Sequence, residues 1–359
     1  MLTPGDPAPW FDVRSSVNAK FAFETAGGRY IVLSFFGSAG HAAGRRVLED
    51  IEANHARFDV LNACFCGVSA DPDDEKLGRV KQQWPGIVYF WDFDLSVARL
   101  YGIVAPGGRE YRGQTLVLDP RMRVLGIFPF DQNIETHVQR VLALLNQWPP
   151  VTSIGSFAPI LELPFVFEPD LCQALIAQHD QHGGQEIGVL RDVDGQTMRV
   201  NDRSHKRRTD YTIQDPAMLA AIEQRLRRRL FPEVKKAFQF QPTQIERYIV
   251  SCYDAQAGGY FRAHRDDVTK GSAHRRFAVT INLNAEQYEG GELRFPEFGF
   301  RTYRGPTGGA IVFSCSLLHE VRPLTKGRRY AFLPFIFDDE AAKIRDQNLQ
   351  FVSADLRQI

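Results

Sequence analysis

The segment YFRAHRDDVTKGSAHRRFAVTINLN, residues 260–284, combines a His-x-Asp pair with a run of β-branched residues. Residues two apart in an extended segment point to the same side, so His264 and Asp266 can converge on one point while Arg265 faces away. The run FAVTIN at 277–282 is typical of a strand. This segment therefore predicts a β-rich domain that presents two candidate metal ligands.

A third candidate ligand follows an apolar strand further along the chain. The segment FSCSLLHEVRPL, 313–324, contains His319, which can return on a neighbouring strand. Two histidines and one carboxylate on one face of an ion leave positions open, as expected of non-haem Fe(II) oxygenases. The alternatives are a chance His-x-Asp pair and a core histidine at 319 with satisfied hydrogen bonds.

A cation enters the β-rich run that follows His319. The residues Thr325 to Gly327 predict a turn, and Arg329 then lies among apolar neighbours. Burying a long cation in such a strand is costly unless it meets an anion. A dicarboxylate cosubstrate, whose far end accepts two hydrogen bonds from the guanidinium, would explain an arginine at this position.

The chain is long enough for two domains. It has 359 residues, of which 44% are hydrophobic and 24% charged. Apolar runs at 30–36 and 59–68 flank a segment with helical spacing, and further strand and helix patterns follow. Segment 148–158 mixes prolines with glycine, serine and threonine, which is typical of a linker. We predict an α/β domain at 1–147 and, at 159–359, helices followed by a β-sandwich or barrel.

Local patterns within the second domain predict two further elements. The polar segment 186–200 predicts a hairpin. Asp215 and Pro216 are predicted to be the N-cap and the first residue of a helix.

Composition limits the partners and the location of the protein. Lysine plus arginine and aspartate plus glutamate number 43 each, so no overall charge favours nucleic acid or an anionic membrane. No signal-peptide pattern and no run of 18 apolar residues is present, and we predict a cytoplasmic protein. The five cysteines are scattered, without the spacing of a zinc site or a disulfide framework, and are predicted to be reduced and buried.

With these elements in place, residues 155–340 resemble the prolyl 4-hydroxylase type of Fe(II)/2-oxoglutarate-dependent dioxygenase. The family's ordered pattern is matched by VSCYDAQAGGYFRAHRDD, VTINLN, YEGGELRFPE and GPTGGAIVFSCSLLHEVRPLTKGRRYAF. The resemblance implies a double-stranded β-helix, or jelly roll, with a helical lead-in. It also implies that His264, Asp266 and His319 bind Fe(II), with no further catalytic residue.

The resemblance assigns the cosubstrate residues as well. It implies that Arg329 binds the distal carboxylate of 2-oxoglutarate. Arg328 is the alternative, but the family pattern is Gly-x-Arg, and strand alternation lets only one of the two face the interior. Tyr253 resembles a family tyrosine that lines the cosubstrate pocket, and its alternative role is that of a core aromatic residue. Asn282 is a weaker candidate for the same pocket.

The implied reaction uses O2 to decarboxylate 2-oxoglutarate to succinate and to hydroxylate a C–H bond, with ascorbate as a further candidate cofactor. The substrate would be a protein or peptide side chain or an amino-acid-like molecule. The basic segment NDRSHKRRTDY, 201–211, could line the mouth of the site and favour an anionic substrate. RLRRRLF, 225–231, fits the solvated face of a helix. Neither segment has the interleaved aromatics of a nucleic-acid site.

The first domain resembles a peroxiredoxin of the thioredoxin-like fold, through GDPAPWFDV, YIVLSFFGSAGHAAGRR, CGVSADPDDEKLGRVKQQW and RGQTLVLDP. In that family a peroxidatic cysteine lies at the start of the helix after the first long strand. Here no cysteine lies between Phe36 and Val47, and the position falls near Gly44. The domain is therefore predicted to be degenerate and retained for packing, homodimerisation or substrate presentation.

Two other functions stay open at this point. The degenerate first domain would suit a non-enzymatic interaction protein built from two inactive enzyme folds. A thiol redox protein that uses Cys64 or Cys66 is the second alternative. The complete set of two histidines, one aspartate and one arginine favours the dioxygenase.

Overall fold

The structure is a computed structural model that describes residues 2–105, 107–108, 110–130 and 132–356, with the backbone alone at 355. The chain forms two compact units. The first contains the chain up to Phe157 together with Pro296–Arg301, and the second contains Ala158–Phe295 and the residues from Thr302 onward. No helix in the described ranges is both long and apolar enough to cross a membrane.

The first unit alternates strands and helices. Its elements are β1 (Asp12–Val13), β2 (Phe21–Ala22), β3 (Tyr30–Gly37), α1 (Ala42–Ala53), β4 (Ala63–Ser69), α2 (Pro72–Lys76), β5 (Ile87–Trp91), α3 (Ser96–Leu100), β6 (Gln114–Leu118), β7 (Val124–Pro129) and α4 (His137–Leu145). Short 3-10 helices lie at Phe23–Ala26, His55–Arg57, Ile134–Thr136 and Val151–Ser153. Strands β1 and β2 pair with each other, and the main sheet has the order β5-β4-β3-β6-β7.

This sheet confirms the predicted α/β layer. Strand β3 pairs with β4 in parallel and with β6 antiparallel. Ile31 and Leu33 belong to an apolar core on one face of the sheet, and Tyr30 and Val32 belong to a second apolar core on the other face. Because both faces are covered, β3 is a continuous apolar run. The strand predicted to begin at 59 begins four residues later, because the Asp59 carboxylate accepts hydrogen bonds from the backbone of the next residues and forms a turn.

A buried histidine begins α4. The Nε2 atom of His137 lies 2.8 Å from Oγ1 of Thr115, which lies 2.9 Å from Oγ of Ser34. Burial, followed by the nearby charge of Arg140, lowers the pKa of His137 from 6.5 to about 4. The folded first unit therefore holds this imidazole in its neutral form at neutral pH.

This histidine predicts acid sensitivity. Between pH 6.5 and about 4 the unfolded chain takes up a proton at His137 that the folded chain excludes, so stability falls as the pH falls through this window. We expect the melting temperature of the wild type to fall more between pH 7 and pH 5 than that of His137→Gln. The exposed His41 offers the control, since His41→Gln should follow the wild type. Equal pH dependence of the wild type and His137→Gln would contradict the conclusion that His137 causes the loss of stability in acid.

The second unit is mainly β, and three of its helices lie in the first half of its sequence. Its elements are β8 (Leu161–Leu163), α5 (Pro169–His182), β9 (Val189–Val193), β10 (Gln196–Val200), β11 (Lys206–Arg207), β12 (Thr209–Thr212), α6 (Pro216–Arg225), a π-helical turn (Leu226–Leu230), α7 (Phe231–Phe238), β13 (Gln244–Glu246), β14 (Ile249–Asp254), β15 (Tyr260–His264), β16 (Phe277–Asn282), β17 (Glu289–Gly290), β18 (Leu293–Arg294), β19 (Thr302–Tyr303), β20 (Ala310–Ser314), β21 (His319–Val321), β22 (Leu324–Lys326), β23 (Arg328–Phe332), β24 (Phe335–Phe337) and α8 (Asp339–Asn348). As predicted, Asp215 caps α6 by accepting a hydrogen bond from Ala217 N–H at 3.1 Å.

Two sheets carry this unit. An eight-stranded sheet has the order β12-β14-β23-β16-β20-β8, with β24 pairing with β13 and β16. A five-stranded sheet has the order β11-β15-β21-β18-β19. The pairings that order these sheets are antiparallel, and over the described residues neither sheet closes on itself. The mainly β fold is therefore confirmed, as two open sheets and not as a closed barrel.

The two faces of the eight-stranded sheet differ in polarity. Val250, Cys252 and Phe332 lie in an apolar core with residues of α5 and α6. Tyr253 and Arg329 alternate with these residues along β14 and β23, so they belong to the opposite face. The helices therefore cover one face and leave polar side chains on the other.

Candidate metal centre

Strand pairing brings the three predicted ligands together. In the five-stranded sheet, His264 of β15 lies directly opposite His319 of β21. Asp266 follows two residues after His264, and one ligand atom of each residue lies within 4.8 Å of the others. Nε2 of His264 is 3.7 Å from Oδ1 of Asp266, and Nε2 of His319 is 3.3 Å from Oδ2. The side chains therefore converge as the His-x-Asp spacing predicted.

Both imidazole rings are held with one nitrogen free. Nδ1 of His264 donates to the carbonyl oxygen of Arg262 at 2.7 Å, and Nδ1 of His319 donates to that of Leu317 at 3.0 Å. A carbonyl oxygen only accepts, so Nδ1 carries the proton and the Nε2 lone pair is available. Burial and then the neighbouring His319 lower the pKa of His264 well below its ordinary value. The neutral ring is the form that binds metal, so these residues fit a divalent ion.

An ion-pair network behind the site holds the backbone of Asp266. Arg275 donates from Nη2 and Nε to the Glu246 carboxylate at 2.7 and 3.1 Å, and from Nη1 to the Asp266 carbonyl oxygen at 3.2 Å. Nε2 of His274 lies 2.8 Å from Oε2 of Glu246. Burial alone would raise the pKa of Glu246, but the charge of Arg275 and these hydrogen bonds lower it well below its ordinary value. The sequence does not reveal this network, because Glu246 lies on β13, which carries no recognisable motif and pairs with the distant strand β24.

We expect Glu246→Gln to weaken metal binding. The change leaves the Arg275 guanidinium without its carboxylate and frees the backbone at Asp266. Loss of a group that orients a metal ligand typically costs about 10- to 100-fold in affinity, and we expect a loss in this range for Mn(II) measured by calorimetry.

The matched control is Glu289→Gln. Glu289 forms an exposed ion pair with Lys326, with Oε1 and Nζ 2.9 Å apart, and such pairs contribute little. This variant should bind Mn(II) as the wild type does. Wild-type affinity in a folded Glu246→Gln protein would show that the network does not position Asp266.

The structure distinguishes Arg329 from Arg328, the two candidates for binding the cosubstrate carboxylate. The Arg329 residue is 3% exposed, whereas the Arg328 side chain is 58% exposed and its Nε donates to Asp254 at 3.0 Å. Arg329 donates from Nε to Asn282 Oδ1 at 3.4 Å and from Nη2 to Thr280 Oγ1 at 3.2 Å, and both acceptors are neutral. Its Nη1 is buried without a hydrogen-bond partner. This donor fits the distal carboxylate of a dicarboxylic acid.

Tyr253 lies beside Arg329. The two residues are cross-strand partners, and Cζ of Arg329 is 5.3 Å from the centroid of the Tyr253 ring. The Tyr253 hydroxyl accepts a hydrogen bond from Nη1 of Arg208 at 3.1 Å. Tyr253 is thus buried in polar surroundings and not in the apolar core. Its contact with cosubstrate stays a prediction.

The two basic segments differ in their surroundings. Lys206 and Arg208 of the first segment are buried, and Lys206 is on β11, next to β15. In the second segment, Arg225 and Arg229 bind the Glu168 carboxylate at 2.6 and 2.5 Å and remain partly exposed. The sequence did not reveal the burial of Lys206 and Arg208, because the residue types around them are those of a solvated loop.

The first unit has no thiol where the sequence aligns with the peroxidatic cysteine, near Gly44. A Cβ atom at Gly44 would lie 2.3 Å from the carbonyl oxygen of Ser38, so a cysteine there would require the backbone to move. Cys64 and Cys66 lie on β4 and are 6% and 1% exposed. Such burial does not favour a reactive thiolate.

Comparison with known proteins assigns both units to families. Residues 245–337, which contain the three candidate ligands and Arg329, match the sequence model of the 2OG-Fe(II) oxygenase superfamily. The second unit contains a 2OG-Fe(II) oxygenase domain. Residues 4–126 match the AhpC/TSA family, and the first unit has the thioredoxin-like fold of peroxiredoxins.

Individual relatives of the 2OG-Fe(II) oxygenase domain cover part of the chain. A PKHD-type hydroxylase of Synechococcus sp. (strain JA-2-3B'a(2-13)) is 32% identical over 148 residues, which is 40% of this chain and 60% of the relative. The chain thus spans less than two thirds of this curated relative.

Two solved structures are similar to parts of the chain. The viral collagen prolyl hydroxylase vCPH from Paramecium Bursaria Chlorella virus-1 is similar over 49% of this chain and 94% of its own, with 15% identity and a TM-score of 0.37. The peroxidoxin BcpB from Mycobacterium tuberculosis is similar over 42% of this chain and 99% of its own, with 18% identity and a TM-score of 0.36.

Proposed function

We propose that the chain is an Fe(II)- and 2-oxoglutarate-dependent dioxygenase that hydroxylates a C–H bond of a protein or peptide side chain or of an amino-acid-like molecule. The observation that carries this proposal is the convergence of His264, Asp266 and His319 within 4.8 Å, with both Nε2 lone pairs available. The family match of residues 245–337 supports it.

The residues of the site have separate roles in this proposal. The two imidazoles and the Asp266 carboxylate would hold Fe(II) and leave positions open for cosubstrate and O2. Bound iron would supply the activation of O2 that couples decarboxylation of 2-oxoglutarate to hydroxylation. Arg329 would take the distal carboxylate through its free Nη1, and Tyr253 would line the same pocket.

The reaction balances without a catalytic base. One molecule each of 2-oxoglutarate, O2 and substrate would give succinate, carbon dioxide and the hydroxylated substrate. The protein's part is to bind the metal, orient the cosubstrate and exclude water. The AhpC/TSA-family unit would serve packing, homodimerisation or substrate presentation, and the burial of Cys64 and Cys66 does not support a thiol redox role.

Succinate release from 2-oxoglutarate tests the proposal. Purified protein with Fe(II), ascorbate and O2 should release succinate slowly even without its primary substrate. Calorimetry under anaerobic conditions should show that 2-oxoglutarate binds to Mn(II)-loaded protein. Absence of both metal and 2-oxoglutarate binding would overturn the dioxygenase proposal, whereas binding without turnover would indicate that decarboxylation requires the substrate.

A further inference from the structure

Two buried cations lie beside the candidate metal centre. Lys206 is the cross-strand partner of Phe261, whose ring stacks on His264 with centroids 3.6 Å apart and an interplanar angle of 18°. Nζ of Lys206 and Cζ of Arg208 each lie 5.5 Å from the centroid of the Phe261 ring. Both cations therefore lie close to a ring that itself contacts a candidate metal ligand.

The two cations share one carboxylate. Nε of Arg208 lies 2.9 Å from Oδ1 of Asp210, and Nζ of Lys206 lies 3.3 Å from Oδ2. The side chains of Lys206 and Arg208 are only 7% and 5% exposed. Arg247 adds further positive charge near Lys206 and Arg208, so the cations here outnumber the carboxylate, which is costly unless an anion approaches.

The hydrogen bonds of the pair leave a donor for a ligand. Lys206 donates to the carbonyl oxygen of Ile187 at 2.6 Å and to Asp210, which uses two of its three N–H groups. Burial, followed by the charge of Arg208, lowers the pKa of Lys206 from 10.5 to about 7. The unused N–H group and the lowered pKa both fit a lysine whose only anionic partner among the described residues is the Asp210 carboxylate, which it shares with Arg208.

Charge balance shows that the cosubstrate would not supply this anion. In the proposed site, Fe(II) and Arg329 together with the Asp266 carboxylate carry two net positive charges. The two carboxylates of 2-oxoglutarate neutralise them, and the positive charge at Lys206 and Arg208 remains. The one N–H group that Lys206 has left suits a single carboxylate oxygen.

We infer that Lys206 and Arg208 form a subsite for a carboxylate group of the substrate. The inference rests on the proposed function, because it names the substrate class of the same site. The carboxylate would approach over Phe261 and place the remainder of the substrate next to the metal. This subsite would select acidic substrates over their neutral amides.

Trifluoroacetate is a suitable probe, because its 19F relaxation reports weak binding near a paramagnetic ion. The full chain is loaded with Mn(II) and saturating 2-oxoglutarate in the absence of O2. We expect saturable relaxation enhancement for trifluoroacetate and none for the neutral trifluoroethanol. Lys206→Gln should raise the dissociation constant of trifluoroacetate at least ten-fold, and Lys206→Arg should restore it.

The neighbouring Arg207 gives the matched control. Its Nε donates to the carbonyl oxygen of Arg203 and the residue is exposed, so Arg207→Gln should bind trifluoroacetate as the wild type does. No saturable effect in the wild type would overturn the inference. An unchanged constant in Lys206→Gln, or an effect that vanishes when 2-oxoglutarate is added, would overturn it as well.

The same samples separate the two proposals. Failure of 2-oxoglutarate to bind the Mn(II)-loaded protein would contradict the dioxygenase proposal. Binding of 2-oxoglutarate without binding of trifluoroacetate would contradict the carboxylate subsite alone.

Discussion

Replacing His319 by alanine should abolish Mn(II) binding and 2-oxoglutarate-dependent succinate formation. The change removes an Nε2 atom that lies 3.3 Å from the Asp266 carboxylate and whose ring is oriented by the Leu317 carbonyl. Loss of a direct ligand should exceed the loss of about 10- to 100-fold that follows removal of an orienting group. Calorimetric titration of Mn(II) and a succinate assay measure the two effects separately.

A histidine elsewhere in the same unit provides the control for this substitution. His182 is exposed at the end of α5, where its Nδ1 contacts the carbonyl oxygen of Gln178. The variant His182→Ala should keep wild-type metal affinity and turnover. If His319→Ala bound Mn(II) as tightly as His182→Ala does, the metal centre would have to lie elsewhere.

Replacing Arg329 by alanine should have the second-largest effect, on the KM for 2-oxoglutarate. The guanidinium is buried, and its Nη1 is available for a carboxylate. Removing one partner of a buried charge pair costs about 2–5 kcal/mol, which corresponds to a loss of affinity of about 30-fold or more. Arg329→Lys should retain part of the affinity for 2-oxoglutarate, because the lysine ammonium keeps the positive charge but lacks the planar guanidinium that can donate two parallel hydrogen bonds.

The adjacent arginine tests the assignment by strand alternation. Arg328 faces the surface and pairs with Asp254, so Arg328→Ala should change the KM for 2-oxoglutarate little. Calorimetric binding of 2-oxoglutarate to the Mn(II)-loaded variants gives the same comparison without turnover. A larger loss in Arg328→Ala than in Arg329→Ala would reverse the assignment.

Local patterns predicted most of the individual elements. The apolar run at 30–36 became β3, and Asp215 with Pro216 began α6 as predicted. The hairpin predicted between 186 and 200 is present as β9 and β10. These elements depend on alternation, capping and turn residues within a few positions of each other, which a single sequence displays directly.

Long-range contacts were predicted less well. The Glu246–Arg275 network and the buried state of Lys206 and Arg208 were both missed. In each case a charged residue is buried by a residue that is distant in the chain, Arg275 by Glu246 and Lys206 by Phe261. From local sequence a charged residue is predicted to be exposed, because most charged residues are. Whether it is buried depends on which strands become neighbours, and local sequence does not show this.

The amino-acid sequence by itself placed His264 and Asp266 two residues apart, a spacing that lets both side chains reach one ion. In the structure β15 ends at His264, and Asp266 lies in the bend that follows. The sequence also determined that one of the two arginines after the turn faces inward. Only the tertiary structure decided that His319 lies opposite His264, that Arg329 faces Tyr253 and that Lys206 lies over Phe261. These contacts depend on the pairing register of strands that are distant in the chain, and register is set by packing of the whole sheet.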